Sequence, residues 1–381
     1  MNILVLNWQD RLNPSAGGAE THLHEIFSRV AAAGHRVTLY CSSFDGAQRE
    51  ELLDGMVVLR EGARNTFNFY VPRRYKKDFR YRGFDIVVDD INKIPFFTPL
   101  YVREPILALA HHLFGTSIFA EAGLIAGSYV YSSELLLPPI YRATPFVVVS
   151  DSTKQELIEK GLPARNMAVI PNCVNRAQFP FTARVRHNGS FAPIIAYFGR
   201  LKRYKSVHHL LEAFVPLADE FPEAKIHIMG KGDAEADLRE LAQRLGLNTP
   251  DVQRVEFLGF IPEEHKAEIL TSAYCVVNPS MKEGWGIINI EANACGTPVI
   301  AANVPGLRDA VQHGESGLLY EYGNIASLTD ILRQILLDRA LHHHLQQGAL
   351  RFAQRFDWDV SAQAMIEEME RVIASRKNSQ N

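Results

Sequence analysis

The sequence has few cysteines, no strong charge of either sign and no long apolar run, and each shortage excludes something. Only four cysteines occur, Cys41, Cys173, Cys275 and Cys295. None stands in a C-x-x-C pair and no histidine cluster accompanies them. A disulfide framework and a zinc site are therefore not expected, and four reduced, buried thiols fit a cytoplasmic protein. Forty basic residues face forty-three acidic ones, for a net charge of −3. A balance of that kind does not suit wholesale neutralisation of nucleic acid, so no nucleic-acid partner is expected. A long stretch without charge, Pro105 to Ala120, is interrupted by His111, His112 and Gly115 and is too short to span a bilayer. The opening MNILVLN has no basic region before its apolar residues, and reads as a first strand rather than a signal peptide. Two nucleotide-binding fingerprints are missing too. No G-x-x-x-x-G-K-[ST] loop exists, and Gly230-Lys231-Gly232 lacks the third glycine of a dinucleotide motif because Glu235 stands there.

What is present is a long alternation. Length and composition, 381 residues with 47% hydrophobic and 22% charged, suit two globular domains. Short apolar runs (Ile3 to Leu6, Val37 to Cys41, Ile86 to Val88, Ile106 to Ala110, Phe146 to Val149, Met167 to Ile170) are separated by segments of helical period such as Glu20 to Ala33 and Ser152 to Lys160. Continuous apolar strands between helices predict parallel sheets covered on both faces. The rhythm lapses from Arg176 to Phe191, a linker that includes the glycosylation-like triplet Asn188-Gly189-Ser190, which we read as chance. It resumes with strands at Ile194 to Phe198, Lys225 to Met229, Val255 to Leu258, Cys275 to Asn278 and Pro298 to Ala301. Helices are expected at Val207 to Leu217, Ala234 to Leu245 and Gly286 to Cys295. The fold class is α/β, two Rossmann-like doubly wound domains, 1–180 and 192–355, with a ligand site at the carboxyl ends of their strands. Residues 356–381 form an amphipathic terminal helix with a polar tail, its apolar face made by Ala364, Met365, Met369, Val372 and Ile373.

Four loops could carry chemistry. Glu283-Gly284-Trp285-Gly286 feeds a helix that contains Glu291, and its glycines and helix N-terminus suit an anion. Gly199-Arg200-Leu201 through Lys205 follows the first strand of the second half; an arginine fork and a lysine point charge suit a diphosphate. Gly17-Gly18 precedes a helix after strand one, and His111-His112 ends a strand. Asp357-Trp358-Asp359 reads as helix-start acids rather than metal ligands, and His342-His343-His344 as a solvated helix face. Between Arg73 and Arg82 six basic residues (Arg73, Arg74, Lys76, Lys77, Arg80 and Arg82) alternate with Tyr75, Phe79 and Tyr81, a surface patch open to an anionic membrane, an anionic acceptor or solvent.

Taken in order, these motifs resemble the family 4 glycosyltransferases of GT-B architecture over nearly the whole chain. They are Gly-Gly-Ala-Glu at 17–20, Val149-Ser150 with Ser152-Thr153-Lys154, Val169-Ile170-Pro171-Asn172, Gly199-Arg200-Leu201 with Lys205, Phe257-Leu258-Gly259, and Glu283 with Glu291 as E-x7-E. The sequence departs from the family at Pro171-Asn172-Cys173-Val174-Asn175 and at Ser206, where a glycine is usual. The resemblance implies two domains facing across a cleft, with the terminal helix returning to the first. It also implies a retaining, metal-independent hexosyl transfer from a nucleotide-diphosphate sugar (UDP-glucose-like first, GDP-mannose next) to a glycan or lipid-linked acceptor, without a cofactor. By the same resemblance Arg200 and Lys205 hold the diphosphate, Glu283 the donor sugar, backbone N–H groups near Gly286 and Ile287 the phosphates, and Glu291 the ribose. Phe260 lies at the base, His111 near sugar and acceptor, and Gly17 and Gly18 let the first domain close on the diphosphate. The enzyme is expected in the cytoplasm, with peripheral contact at the inner membrane face through the basic patch. A nucleotide-sugar 2-epimerase on the same plan, or a non-catalytic glycan- or nucleotide-binding protein, remain as alternatives.

Overall fold

The computed structural model describes residues 1–92, 94–181 and 192–378, without the side chains of 120–122. The triplet at 188–190 and the later part of the linker lie outside the described residues. The chain divides into two compact units, Met1–Asn172 with Trp358–Asn381, and Cys173–Asp357.

The first unit is built on an eight-stranded sheet. Its strands are β1 (Asn2–Leu6), β2 (Arg36–Cys41), β3 (Glu50–Leu53), β4 (Met56–Arg60), β5 (Ile86–Ile91), β6 (Ile106–Ala110), β7 (Phe146–Val148) and β8 (Met167–Val169), in the order β3-β4-β2-β1-β5-β6-β7-β8. Every pairing is parallel except β3 with β4. The central strands are apolar on both faces, as the sequence runs require: Ile3, Leu4, Val5, Ile86, Val87 and Val88 are all fully buried. The β3–β4 hairpin, turned through Asp54 and Gly55, extends one edge; no strand was expected there. Its helices are α1 (Gly18–Ala32), α2 (Phe67–Lys77), α3 (Ile118–Leu135), α4 (Leu137–Tyr141) and α5 (Asp151–Glu159). The first half of the basic patch, Arg73 to Lys77, thus stands on α2.

The second unit holds a wholly parallel six-stranded sheet of β9 (Ile194–Phe198), β10 (Lys225–Met229), β11 (Val255–Gly259), β12 (Cys275–Asn278), β13 (Val299–Ala302) and β14 (Gly317–Tyr320), in the order β11-β10-β9-β12-β13-β14. Helices α6 (Val207–Glu220), α7 (Glu235–Arg244), α8 (Glu263–Ser272), α9 (Ile287–Ala294), α10 (Ile325–Leu337) and α11 (Arg339–Ala353) join its strands or follow them. In each sheet the first strand lies between neighbours reached in opposite directions: β1 between β2 and β5, β9 between β10 and β12. At such a switch point the connecting loops diverge and leave room for a ligand beyond the strand ends.

The last helix, α12 (Trp358–Asn378), packs on α1 in the first unit, burying Met365, Met369 and Val372. Arg29 Nε is 2.6 Å from Asp359 Oδ1 and Ser361 Oγ donates to the Pro171 carbonyl at 3.3 Å. Asp357 pairs with Arg176 at 3.1 Å, so the Asp-Trp-Asp acids serve packing. One expectation is corrected here. His342 is not on a solvated face: it is buried, stacks on Tyr274 with ring centroids 3.8 Å apart, and its Nε2 lies 3.0 Å from the Tyr274 carbonyl. Only His343 and His344 of that run are exposed, because a helix turns successive residues through about 100°. All four cysteines are buried, and none of them is in a disulfide.

Candidate active site

In the second unit the switch-point strands β9 and β12 deliver the charged residues. β9 ends at Phe198 and runs into Gly199-Arg200; β12 ends at Asn278 and runs through Ser280 to Glu283. The Lys205 ammonium meets Glu283 Oε1, which also accepts from Ser280 Oγ at 2.9 Å. Asn278 Nδ2 donates to Asn289 Oδ1 at 3.0 Å, tying that strand end to the first turn of α9. Burial pulls the Lys205 pKa down, but the Glu283 carboxylate beside it prevails and the ammonium titrates above its ordinary value. Arg200 is exposed, and among the described residues no carboxylate pairs with it. An unspent guanidinium beside a paired lysine leaves net positive charge for an anion.

Glycines bring these loops together. Gly230, with φ 128°, lies so close to Gly199 that a β-carbon would stand 1.8 Å from its carbonyl oxygen, and one on Gly232 would stand 2.0 Å from that of Leu201. Gly199 N–H donates to the Met229 carbonyl at 3.0 Å and Leu201 N–H to that of Lys231 at 3.0 Å. The incomplete glycine motif therefore buttresses the Arg200 loop. Gly306 does the same for Glu283, whose carbonyl oxygen would be 2.2 Å from a β-carbon there. Gly286 caps α9 in the left-handed region, φ 81°, and Ile287 begins the helix. Glu283 stands outside that helix, so the E-x7-E pair does not share one helical axis.

Glu291 is buried in α9 with Lys266 Nζ 2.6 Å from its Oε2. Burial raises its pKa, and the lysine works against that rise. Lys266, in α8, lies over the rings of Phe198 at 5.2 Å and Phe179 at 5.6 Å. It was not singled out from sequence; a lysine on a helix carries no local mark of the buried carboxylate it meets. Phe260, after β11, is 69% exposed, leaving its ring open to a partner.

In the first unit Gly17 precedes α1, and its N–H donates to Glu20 Oε2 at 2.7 Å, the backbone half of a capping box, with Gly18 as the first helical residue. His111 follows β6 and is buried; its Nε2 is 3.1 Å from Asp90 Oδ1 on neighbouring β5, an ion-pair distance without the direction of a hydrogen bond. The Thr153 hydroxyl donates to the His111 carbonyl at 3.0 Å, while Ser150 caps α5 by accepting from Thr153 N–H at 3.0 Å, so the Ser-Thr motif pins this strand end. His22 of α1 sets its ring edge-on to His111, centroids 5.1 Å apart, with neither nitrogen hydrogen-bonded. Complete burial, with His111 nearby, holds its pKa well below the ordinary value. Among the described residues no group of three or more His, Cys, Asp or Glu side chains is placed to hold a metal ion.

Two doubly wound sheets, one wholly parallel and the other parallel but for its β3 edge, with charged loops beyond their switch strands define a GT-B protein. The family model for glycosyl transferases group 1 matches residues 184–352, and that for glycosyltransferase family 4 matches residues 16–178. The chain belongs to the family 4 glycosyltransferases. It is 30% identical over 238 residues to a D-inositol 3-phosphate glycosyltransferase of Corynebacterium urealyticum, covering 58% of this chain and 55% of that protein. The chain thus spans about half the length of the curated relatives it matches first. Sucrose-phosphate synthase of Thermosynechococcus elongatus shares the fold with a TM-score of 0.80 at 21% identity, covering 98% of this chain and all of that one (100%). Anabaena Alr3699/HepE in complex with UDP and glucose gives 0.74 at 21% identity, covering 97% of this chain and 99% of that one.

Proposed function

We propose that this protein transfers a hexosyl group from a nucleotide-diphosphate sugar to a hydroxyl of a glycan or lipid-linked acceptor, with retention of anomeric configuration and without a metal ion. The carrying observation is the Lys205–Glu283 pair beyond the switch strands of the second sheet, with the exposed Arg200 within electrostatic reach of Lys205. Two cations and a helix N-terminus at Gly286 and Ile287 provide fixed positive charge where a diphosphate leaves, and such stabilisation is the main source of rate in this chemistry. Glu283, hydrogen-bonded and ion-paired, is shaped to take sugar hydroxyls. Glu291, held by Lys266, takes the ribose. In the first unit His111, with Gly17 and Gly18, serves sugar, acceptor and diphosphate. The C1–phosphate bond breaks as the acceptor oxygen bonds C1 on the same face, and the acceptor proton passes to the departing phosphate oxygen. UDP-glucose-like donors come first and GDP-mannose second; the fold shared with a UDP- and glucose-bound neighbour supports that order. The test is incubation with each donor and an oligosaccharide acceptor mixture. A glycosylated product with free nucleoside diphosphate is expected; a 2-epimerised sugar formed from donor alone contradicts it.

We further propose peripheral contact with an anionic membrane, from the cytoplasmic side. No described helix is long and apolar enough to cross one. On α2, Arg73, Lys76 and Lys77 are exposed, with Phe69, 66% exposed, on the same stretch. Arg74 and Arg82 are engaged by Asp78 at 2.9 and 2.7 Å, and Arg74 also by Glu61 at 3.3 Å, so the free charge is smaller than six. At about 1 kcal/mol per basic residue near an anionic surface, the exposed ones suffice for reversible binding.

A further inference from the structure

Ser206 follows Lys205 and caps α6 with its backbone in the left-handed region, φ 50° and ψ 36°. Residues with a β-carbon adopt this region at a cost, which the surroundings must offset. Ser206 is 1% exposed, and its hydroxyl makes no cap bond to the helix. It donates instead to the Tyr204 carbonyl at 3.3 Å and lies 3.0 Å from the Tyr322 hydroxyl. With its one proton on Tyr204, Ser206 accepts from Tyr322. The same Tyr204 carbonyl accepts from the Met281 N–H at 2.8 Å, and Met281 lies two residues before Glu283. Tyr322 comes from the turn after β14, and the His209 ring of α6 packs against it at 5.1 Å. A single chain of hydrogen bonds therefore runs from Tyr322 through Ser206 and Tyr204 to the loop that presents Glu283, and Lys205 sits inside it.

We propose that Tyr322 is a positioning residue for Lys205: its hydroxyl fixes the left-handed Ser206 and so aims the ammonium at the site beyond β9 and β12. This rests on the reading that Lys205 meets the donor diphosphate. A glycine at 206 adopts the same backbone without help, so the need for Tyr322 disappears when Ser206 is glycine.

The test is calorimetric binding of UDP and of GDP to the full chain and its K205A, Y322F, S206G and S206G/Y322F variants, with a melting midpoint for each. K205A weakens binding of the accepted nucleotide at least tenfold, by loss of a charge-assisted contact. Y322F weakens it about three- to tenfold, the span of one lost hydrogen bond. S206G and S206G/Y322F bind within about twofold of the parent, a coupling that independent sites do not show. If the parent binds neither nucleotide, or K205A binds as well as the parent, the donor reading falls and this inference with it. If K205A is weakened but Y322F is not, or if S206G/Y322F binds as poorly as Y322F, the donor reading stands and the positioning role of Tyr322 is refuted. A Y322F variant that only melts earlier, with unchanged affinity, counts the same way.

Discussion

Lys205 and Glu283, seventy-eight positions apart, neutralise one another beyond the ends of β9 and β12, with side chains only 14% and 17% exposed. The ammonium proposed for the diphosphate is thus already held by the carboxylate proposed for the sugar. On that proposal the pair makes the two halves of donor recognition interdependent.

Removing the acid while keeping its shape should separate those halves. In Glu283→Gln the Lys205 charge is no longer compensated, so UDP alone should bind several-fold tighter and with a steeper salt dependence. Transfer of the sugar should fall by an order of magnitude or more. Titration calorimetry at two salt concentrations, beside a turnover assay, checks both.

Replacing Arg200 or Lys205 with Ala should lower turnover by on the order of 10² to 10³, as for loss of one electrostatic stabiliser. Arg200 is exposed, so R200A should melt where the parent does. K205A leaves Glu283 short of a partner and should melt slightly earlier. Near-normal rates in both variants would remove the diphosphate assignment.

Activity should persist in EDTA. On the proposed reading, the charge that a divalent ion supplies to a diphosphate elsewhere comes from Arg200, Lys205 and the start of α9. Turnover measured before and after chelation, and after adding back magnesium or manganese, decides it; loss on chelation with recovery on metal addition contradicts the account.

Stability should fall on the acid side. Burial, with His208 beside it, pushes the His209 imidazole down to about 4. The unfolded chain takes up a proton near pH 6.5, its ordinary value, whereas the folded chain takes it only near pH 4. Above both values neither state is charged at this site and stability is unaffected. As pH drops through that window the unfolded state binds more protons and stability declines. His22 acts in the same direction. His209→Phe should flatten the fall of melting temperature between about pH 7 and 4; an unchanged slope assigns the acid sensitivity elsewhere.

Co-sedimentation with vesicles of rising anionic lipid content should show salt-sensitive binding that is lost when Arg73, Lys76 and Lys77 become Ser. No sedimentation at low salt would make the face of α2 a solvated one.

Much of this was legible in the sequence because fully buried parallel strands leave a plain mark. Ile106–Ala110, Ile194–Phe198, Lys225–Met229 and Cys275–Asn278 occupy the limits that their apolar runs indicate. Of the β3–β4 hairpin, only Glu50–Leu53 at the sheet edge lacks an apolar alternation; Asp54-Gly55 and the apolar Met56 to Leu59 do mark a turn and a strand. α2 was hidden by its Pro72 and dense basic residues, which look like a loop. In the site, glycine turns and lone charges marked Arg200, Lys205, Glu283 and Glu291. Their partners were not marked: Lys266 on Glu291, Asp90 on His111 and Tyr322 on Ser206 are brought in from distant segments by the fold. The Gly230-Lys231-Gly232 turn, rightly set aside as a dinucleotide motif, has a use that its sequence does not show: its glycines let the neighbouring strand's loop come close.

The most direct test of the central claim is the shift in melting midpoint across a panel of UDP- and GDP-sugars in EDTA, for the parent and for the R200A/K205A double variant. A ligand that binds only the folded state raises the midpoint through linkage, by about 2.7 kcal/mol of stability at a hundred times its dissociation constant. One nucleotide-sugar class should raise the midpoint of the parent and leave the double variant where it is. A parent that responds to none of them, or a double variant that responds as fully as the parent, would contradict the placement of the donor beyond β9 and β12.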